Sequence, residues 1–114
     1  MEGIELICFE IISSVGTARS CYIDAMDKAA EGDFEGAREA IKEGQEAFTG
    51  GHHAHAKMIQ QEANGDKIEF QLLLLHAEDQ LMSAEAFGVL AEKFITIYEK
   101  MGTILADDPL LNCR

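Results

Sequence analysis

Apolar residues recur at spacings of three and four along most of this chain, in three long blocks separated by short polar breaks. The first block, Ile4 to Glu31, sets Ile4, Ile7, Ile11, Ile12, Val15, Ala18, Tyr22, Ala25 and Met26 along one side of a helix, with Gly16 weakening it locally. Gly32-Asp33 is a stop followed by a restart, a glycine just past one helix and an aspartate capping the next. A second helix is expected from Phe34 to about Ala63. Its seam of Phe34, Ala37, Ile41, Gly44, Phe48, Gly51, His55 and Met58 is built largely from small residues. Asn64-Gly65-Asp66 reads as a turn. The third helix runs from about Glu69 to Leu105 and is closed by Asp107-Asp108-Pro109. Each helix would be roughly 45–55 Å long. Short connections force antiparallel neighbours, so the expected fold is all-α, an up-down-up bundle of three helices.

The third helix breaks the simple amphipathic pattern. Leu72 to Leu75 cover nearly its whole circumference, and Phe87, Val89, Leu90, Phe94, Ile95, Ile97 and Tyr98 continue broadly. A helix apolar most of the way round must be covered on more than one side, and two neighbours do not suffice. The pattern implies an oligomer with this helix near its centre, with cyclic symmetry as the natural closure. A monomer with a broad apolar face is the plainer alternative.

Length and composition fit one folded domain over 1–114, with a short C-terminal tail from about 106. Twenty-one acidic residues against nine basic ones give a net charge of −12. Such a surface repels phosphate backbones and anionic lipid, which argues against nucleic-acid and membrane-surface roles. Cys8, Cys21 and Cys113 are odd in number and lack C-x-x-C spacing, which points to a reducing compartment; Cys113 is placed in a frayed tail. Met1-Glu2-Gly3 opens no basic leader, and no apolar run is expected to reach the ~20 residues of a membrane span. The expected location is cytoplasmic.

Phosphate loops, dinucleotide fingerprints, H-E-x-x-H helices and serine elbows are all missing from the sequence. The candidate chemistry lies in His52, His53 and His55, and in His76 with Asp79 three residues later. Positions i and i+3 share a helix face, and burying such a pair without partners would cost roughly 1–3 kcal/mol for each group. An imidazole is largely neutral and nucleophilic at pH 7, so His76 suits phosphoryl acceptance, although a satisfied core or surface histidine is the commoner case. His52 and His55, at i and i+3, could pinch one metal ion, with His76 or Asp79 completing the site; a polar patch is the simpler account. Should the third helix lie on a symmetry axis, copies of Asp79 converge and repel. A hard divalent cation such as Mg²⁺ with retained waters, or water and protons, would then relieve them.

The run Leu72-Leu73-Leu74-Leu75-His76-Ala77-Glu78-Asp79-Gln80-Leu81-Met82 resembles the active-site helix of the lactose/cellobiose-type IIA components of the bacterial phosphotransferase system, whose pattern is close to L-V-H-A-Q-D-H-L-M. Gly16-Thr17-Ala18-Arg19-Ser20 is similar to the family's G-x-A-R-S, Glu31-Gly32-Asp33-Phe34 to its N/Q-G-D-F turn, and Glu62-Ala63-Asn64-Gly65 lies at its second turn. The likeness covers about residues 4 to 102. It implies a homotrimer of three-helix subunits, a nine-helix assembly with the third helices inside. It implies that His76 takes a phosphoryl group from the histidine phosphocarrier HPr and passes it to a cysteine of the cognate IIB component during disaccharide uptake. It implies also that Asp79 meets its symmetry copies around a divalent ion on the trimer axis.

Three residues depart from the family pattern. Glu78 stands where glutamine is usual, Gln80 replaces a second histidine, and His55 takes the glutamine place of A-H-x-x-Q-T within Gly51-His52-His53-Ala54-His55-Ala56. Glu78, Gln80 and His55 are therefore the expected supporting residues. Glu78 and Asp79 together are expected to disfavour storage of a dianion on His76 and keep it transferable. Two alternatives stay open: a noncatalytic helical oligomer binding a metal through His52 and His55, and a regulatory relative that is phosphorylated without passing the group on.

Overall fold

The computed structural model describes residues 3–107 and residue 110. Within them the chain forms three α-helices and no strand: α1 (Gly3–Ala30), α2 (Phe34–Ala63) and α3 (Leu72–Asp107). They make a rod of 65 × 20 × 20 Å. The expected break at Asp108-Pro109, Cys113 and nearly all of the expected tail lie outside the described residues.

Both turns form as their residue types require. Gly32 adopts φ +88° and Gly65 φ +96°, left-handed positions that favour glycine. The N–H of Asp33 reaches back to the Lys28 carbonyl at 2.9 Å and that of Asp66 to Gln61 at 3.1 Å, closing each helix in the Schellman manner. Asp33 then caps α2 by accepting from the Gly36 N–H at 2.9 Å. The third helix starts later than its apolar pattern suggests. Its first turn is closed from Leu75 N–H to the Gln71 carbonyl, so Gln71 is its entry point rather than Glu69. Ile68, which continues the apolar period, lies in the linker and packs half-buried against the core.

The contacts order the helices along one another. Tyr22 packs beside Gly44 and Val15 beside Gly51, so α1 and α2 pair in opposite sequence order. Arg38 bonds Glu99, Gln45 bonds Glu92 and His55 bonds Glu78, which pairs α2 and α3 in opposite order as well. Close approach depends on small residues. A Cβ at Gly44 would stand 2.5 Å from Cε1 of Tyr22, and one at Gly88 would stand 3.0 Å from its Cε2. The buried Tyr22 ring is thus clasped between α2 and α3.

The core-facing stripe of α3 is Ala77, Leu81, Ala84, Ala91 and Ile95. Its larger apolar residues point the other way: Leu72 is 77 % exposed, Met82 68 % and Val89 56 %. The single subunit therefore closes its core with alanines and leaves the bulky face of α3 bare. One expectation is corrected. Helix α1 is long and apolar enough to cross a membrane by composition, with a window of mean hydropathy 1.3. Cys8, Ile11, Val15, Ala18, Tyr22, Ala25 and Ala29 are buried in the bundle core, while Leu6, Phe9 and Ile23 of the same helix stay exposed.

Candidate functional site

Three buried residues set the roll of α3 at the candidate site. Ala77, Leu81 and Ala84 pack with Cys8, Ile11 and Val15 of α1 and Ala54 and Met58 of α2. With the core on that side, each neighbouring position takes a definite direction, because successive residues turn by about 100°. His76 and Asp79 are exposed, separated by about 60° around the axis, and line one shallow depression with Leu72 and Leu75. Gln80 lies about 40° from His76 on its other side, one turn along. The sequence pairing of His76 with Asp79 thus holds on the bare face of α3.

Glu78 lies elsewhere. It is about 160° around the helix from His76, on the flank facing α2, where its Oε1 accepts from His55 Nε2 at 2.6 Å. Its charge is felt by Cys8, whose thiol is pushed up by burial first and by Glu78 and Glu5 after it. Glu78 and Asp79, expected together to disfavour a dianion on His76, lie on different sides of α3, and of the two only Asp79 shares the His76 face. Two of the three departures from the family pattern, His55 and Glu78, are in fact a single bonded pair. The pair bridges α2 to α3.

The third departure has its own partner. Arg19 Nη1 donates to Gln80 Oε1 at 2.7 Å in a half-buried setting that joins α1 to α3. Arg19 was visible in the G-x-A-R-S run but carried no assigned role. The available signal was a guanidinium placed next to Ala18 on the seam of α1, where an arginine needs a reason.

The histidine cluster does not assemble a metal site. His55 is engaged by Glu78, while exposed His52 stacks near Phe48, ring centroids 6.3 Å apart, and lies beside His53. No group of three histidine, cysteine or acidic side chains among the described residues is arranged to hold an ion. The bond of His55 Nε2 to Glu78 occupies one of the two imidazoles that the metal reading needed.

Comparison with known proteins gives a consistent result. The sequence model of the family described as "PTS system, Lactose/Cellobiose specific IIA subunit" matches residues 6–99. The lichenan-specific phosphotransferase enzyme IIA component of Bacillus subtilis is 39% identical over 100 residues, covering 88% of this chain and 91% of that one. The lactose-specific EIIA component of Staphylococcus epidermidis is 30% identical over 99 residues, covering 87% and 95%. The crystal structure of the cellobiose-specific enzyme IIA from Bacillus anthracis superposes with a TM-score of 0.88 at 39% identity, covering 90% of this chain and 94% of that one.

Proposed function

Because this chain belongs to the lactose/cellobiose-specific IIA family of the sugar phosphotransferase system, we propose that it is a cytoplasmic phosphocarrier that accepts a phosphoryl group on His76 and donates it to its IIB partner. The observation that carries this reading is the placement of His76. Ala77 and Leu81 are buried on the core side of α3 while His76 is exposed, so the imidazole is held outward on a rigid helix, open to a second protein. The donor is phosphorylated HPr and the acceptor a cysteine of the IIB component, during uptake of a lactose- or cellobiose-type disaccharide. Neutral His76 uses one ring-nitrogen lone pair to form an N–P bond as the P–N bond of the incoming phosphohistidine breaks. The released electron pair stays with the donor imidazole. In the second transfer the IIB thiolate forms an S–P bond, and the imidazole of His76 leaves.

The working form is a homotrimer of up-down-up subunits with α3 innermost. Leu72, Leu75, Met82, Val89 and Leu90 form an apolar face too large for a soluble monomer to leave bare, and copies of the same face are its natural cover. Asp79 lies on that face and forms no ion pair among the described residues. One carboxylate per chain holds no cation alone, but three converging ones are an all-oxygen set suited to Mg²⁺ with retained waters. Such an ion would supply charge neutralisation at the axis, with the transfer carried by His76.

The test is incubation with phosphoenolpyruvate, enzyme I and HPr, read by intact mass at neutral pH. One added phosphoryl group, lost in His76→Ala with helical content retained, supports the reading. An unmodified chain alongside active upstream proteins refutes it.

A further inference from the structure

We infer that Arg19, braced by Gln80, is a catalytic residue that binds the phosphoryl oxygens of the group transferred to and from His76. This rests on the reading of His76 as phosphoryl acceptor, and on four observations.

Arg19 Nη1 donates to Gln80 Oε1 at 2.7 Å across the α1–α3 contact. Gln80 follows His76 by one turn and lies about 40° from it around the helix, so the bond ties the guanidinium to α3 one turn along from His76. In a chain of 21 acidic residues, Arg19 forms no ion pair among the described residues. A half-buried guanidinium held by a neutral amide keeps its full positive charge available, and four of its five N–H donors remain after the bond to Gln80. Of the two acidic residues that follow His76, Asp79 shares its face and Glu78 is bonded to His55 on the opposite flank.

The bond also fixes the Gln80 amide. Arginine donates only, so Oε1 must face Arg19, leaving the Nε2 donors of Gln80 directed elsewhere. Together they offer a planar fork and an amide N–H to an anion carried one turn back on the same helix. During transfer the charge is spread over three phosphoryl oxygens while one N–P bond forms and another breaks. Fixed donors at those oxygens lower the barrier in both directions, which a carrier requires. The departure of Gln80 from a family histidine then has a chemical meaning: an amide oxygen can hold arginine at any pH, whereas a protonated imidazole cannot.

Phosphoramidate is the probe, because it phosphorylates an accessible histidine without a protein docking surface and releases ammonia. The rate of His76 phosphorylation is followed by ³¹P NMR with the full chain. Arg19→Ala should slow it about a hundredfold, Arg19→Lys less because the charge remains, and added guanidinium should restore part of the loss. Guanidinium rescue is a readout that a mere brace between helices would not show. A wild-type rate in Arg19→Ala overturns the inference and leaves His76 as acceptor intact. A wild-type chain unmodified by phosphorylated HPr overturns instead the reading beneath it. Should Arg19→Ala fail to fold, the ¹⁵N resonances of the Arg19 guanidinium in the wild type decide. Displacement on phosphorylation supports the contact, and unmoved resonances overturn it.

Discussion

Replacing Gly44 by alanine pits backbone propensity against packing, and the structure decides the sign. In the middle of a helix the change gains about 1 kcal/mol by propensity. Here the added methyl would lie 2.5 Å from Cε1 and 2.8 Å from Cδ1 of Tyr22, roughly 1 Å inside ordinary carbon contact. The ring cannot retreat, because the backbone of α3 at Gly88 closes its far side. Overpacking costs about 1–3 kcal/mol, and contacts of 2.5 and 2.8 Å against a ring closed in from behind put this site in the upper part of that range, about 2–3 kcal/mol. Gly44→Ala should therefore lose about 1–2 kcal/mol net. Gly102→Ala is the control, with nothing within 4 Å of the added carbon, and should gain about 0.5 kcal/mol near the end of α3. Urea unfolding followed by circular dichroism measures both, at one chain concentration because the proposed assembly would add a concentration-dependent term. A Gly44→Ala protein as stable as the wild type, with Gly102→Ala behaving as stated, would refute the clasped-ring account.

Other expectations concern assembly, charge and pH. Leu90→Glu places a carboxylate on the bare α3 face and should shift sedimentation towards single subunits with helicity kept; an unchanged oligomer would mean that α3 is not the interface. Glu78→Gln should lengthen the life of the phosphorylated form by no more than about fourfold, since a unit charge roughly 10 Å from a dianion across solvent is worth about 0.8 kcal/mol. A change of tenfold would return Glu78 to the phosphoryl group's immediate surroundings. The thiols of Cys8 and Cys21 and the phenol of Tyr22 are all held above their ordinary values of 9.0, 9.0 and 10.0, with burial the first cause in each. The folded chain holds these protons more tightly than the unfolded one. Their contribution is therefore whole below about pH 9 and is lost as pH climbs past it. The urea midpoint should fall between about pH 9 and 10.5, and a midpoint rising there would contradict the assignment.

Much of the architecture was legible because local chemistry and tertiary structure agree. Gly32-Asp33 and Asn64-Gly65-Asp66 have few other uses than turns, and the α2 boundaries follow from them. The start of α3 was misplaced because Ile68 and Phe70 share the apolar character of the helix that follows. Nothing in that pattern shows that the helix begins only at Leu72. The breadth of α3 was legible, but which residues it buries was not. Periodicity gives weight to leucine, while the contact with α1 and α2 selects Ala77, Ala84 and Ala91. At the site, the His76–Asp79 face followed from spacing alone. The pairing of His55 with Glu78, and of Arg19 with Gln80, joins residues 23 and 61 positions apart. Such pairs depend on how the helices roll against one another, which a single sequence does not display.

A carrier must give up what it accepts, and a pulse-chase experiment measures that directly. The chain is phosphorylated through HPr, freed of its donors, and mixed with the cognate IIB component. The account predicts that the phosphoryl group leaves His76 and appears on a IIB cysteine, with His76→Ala carrying none at any stage. A group that stays on this chain while an established IIA phosphorylates the same IIB would contradict the carrier function. A label found on His52, His53 or His55 would contradict the site.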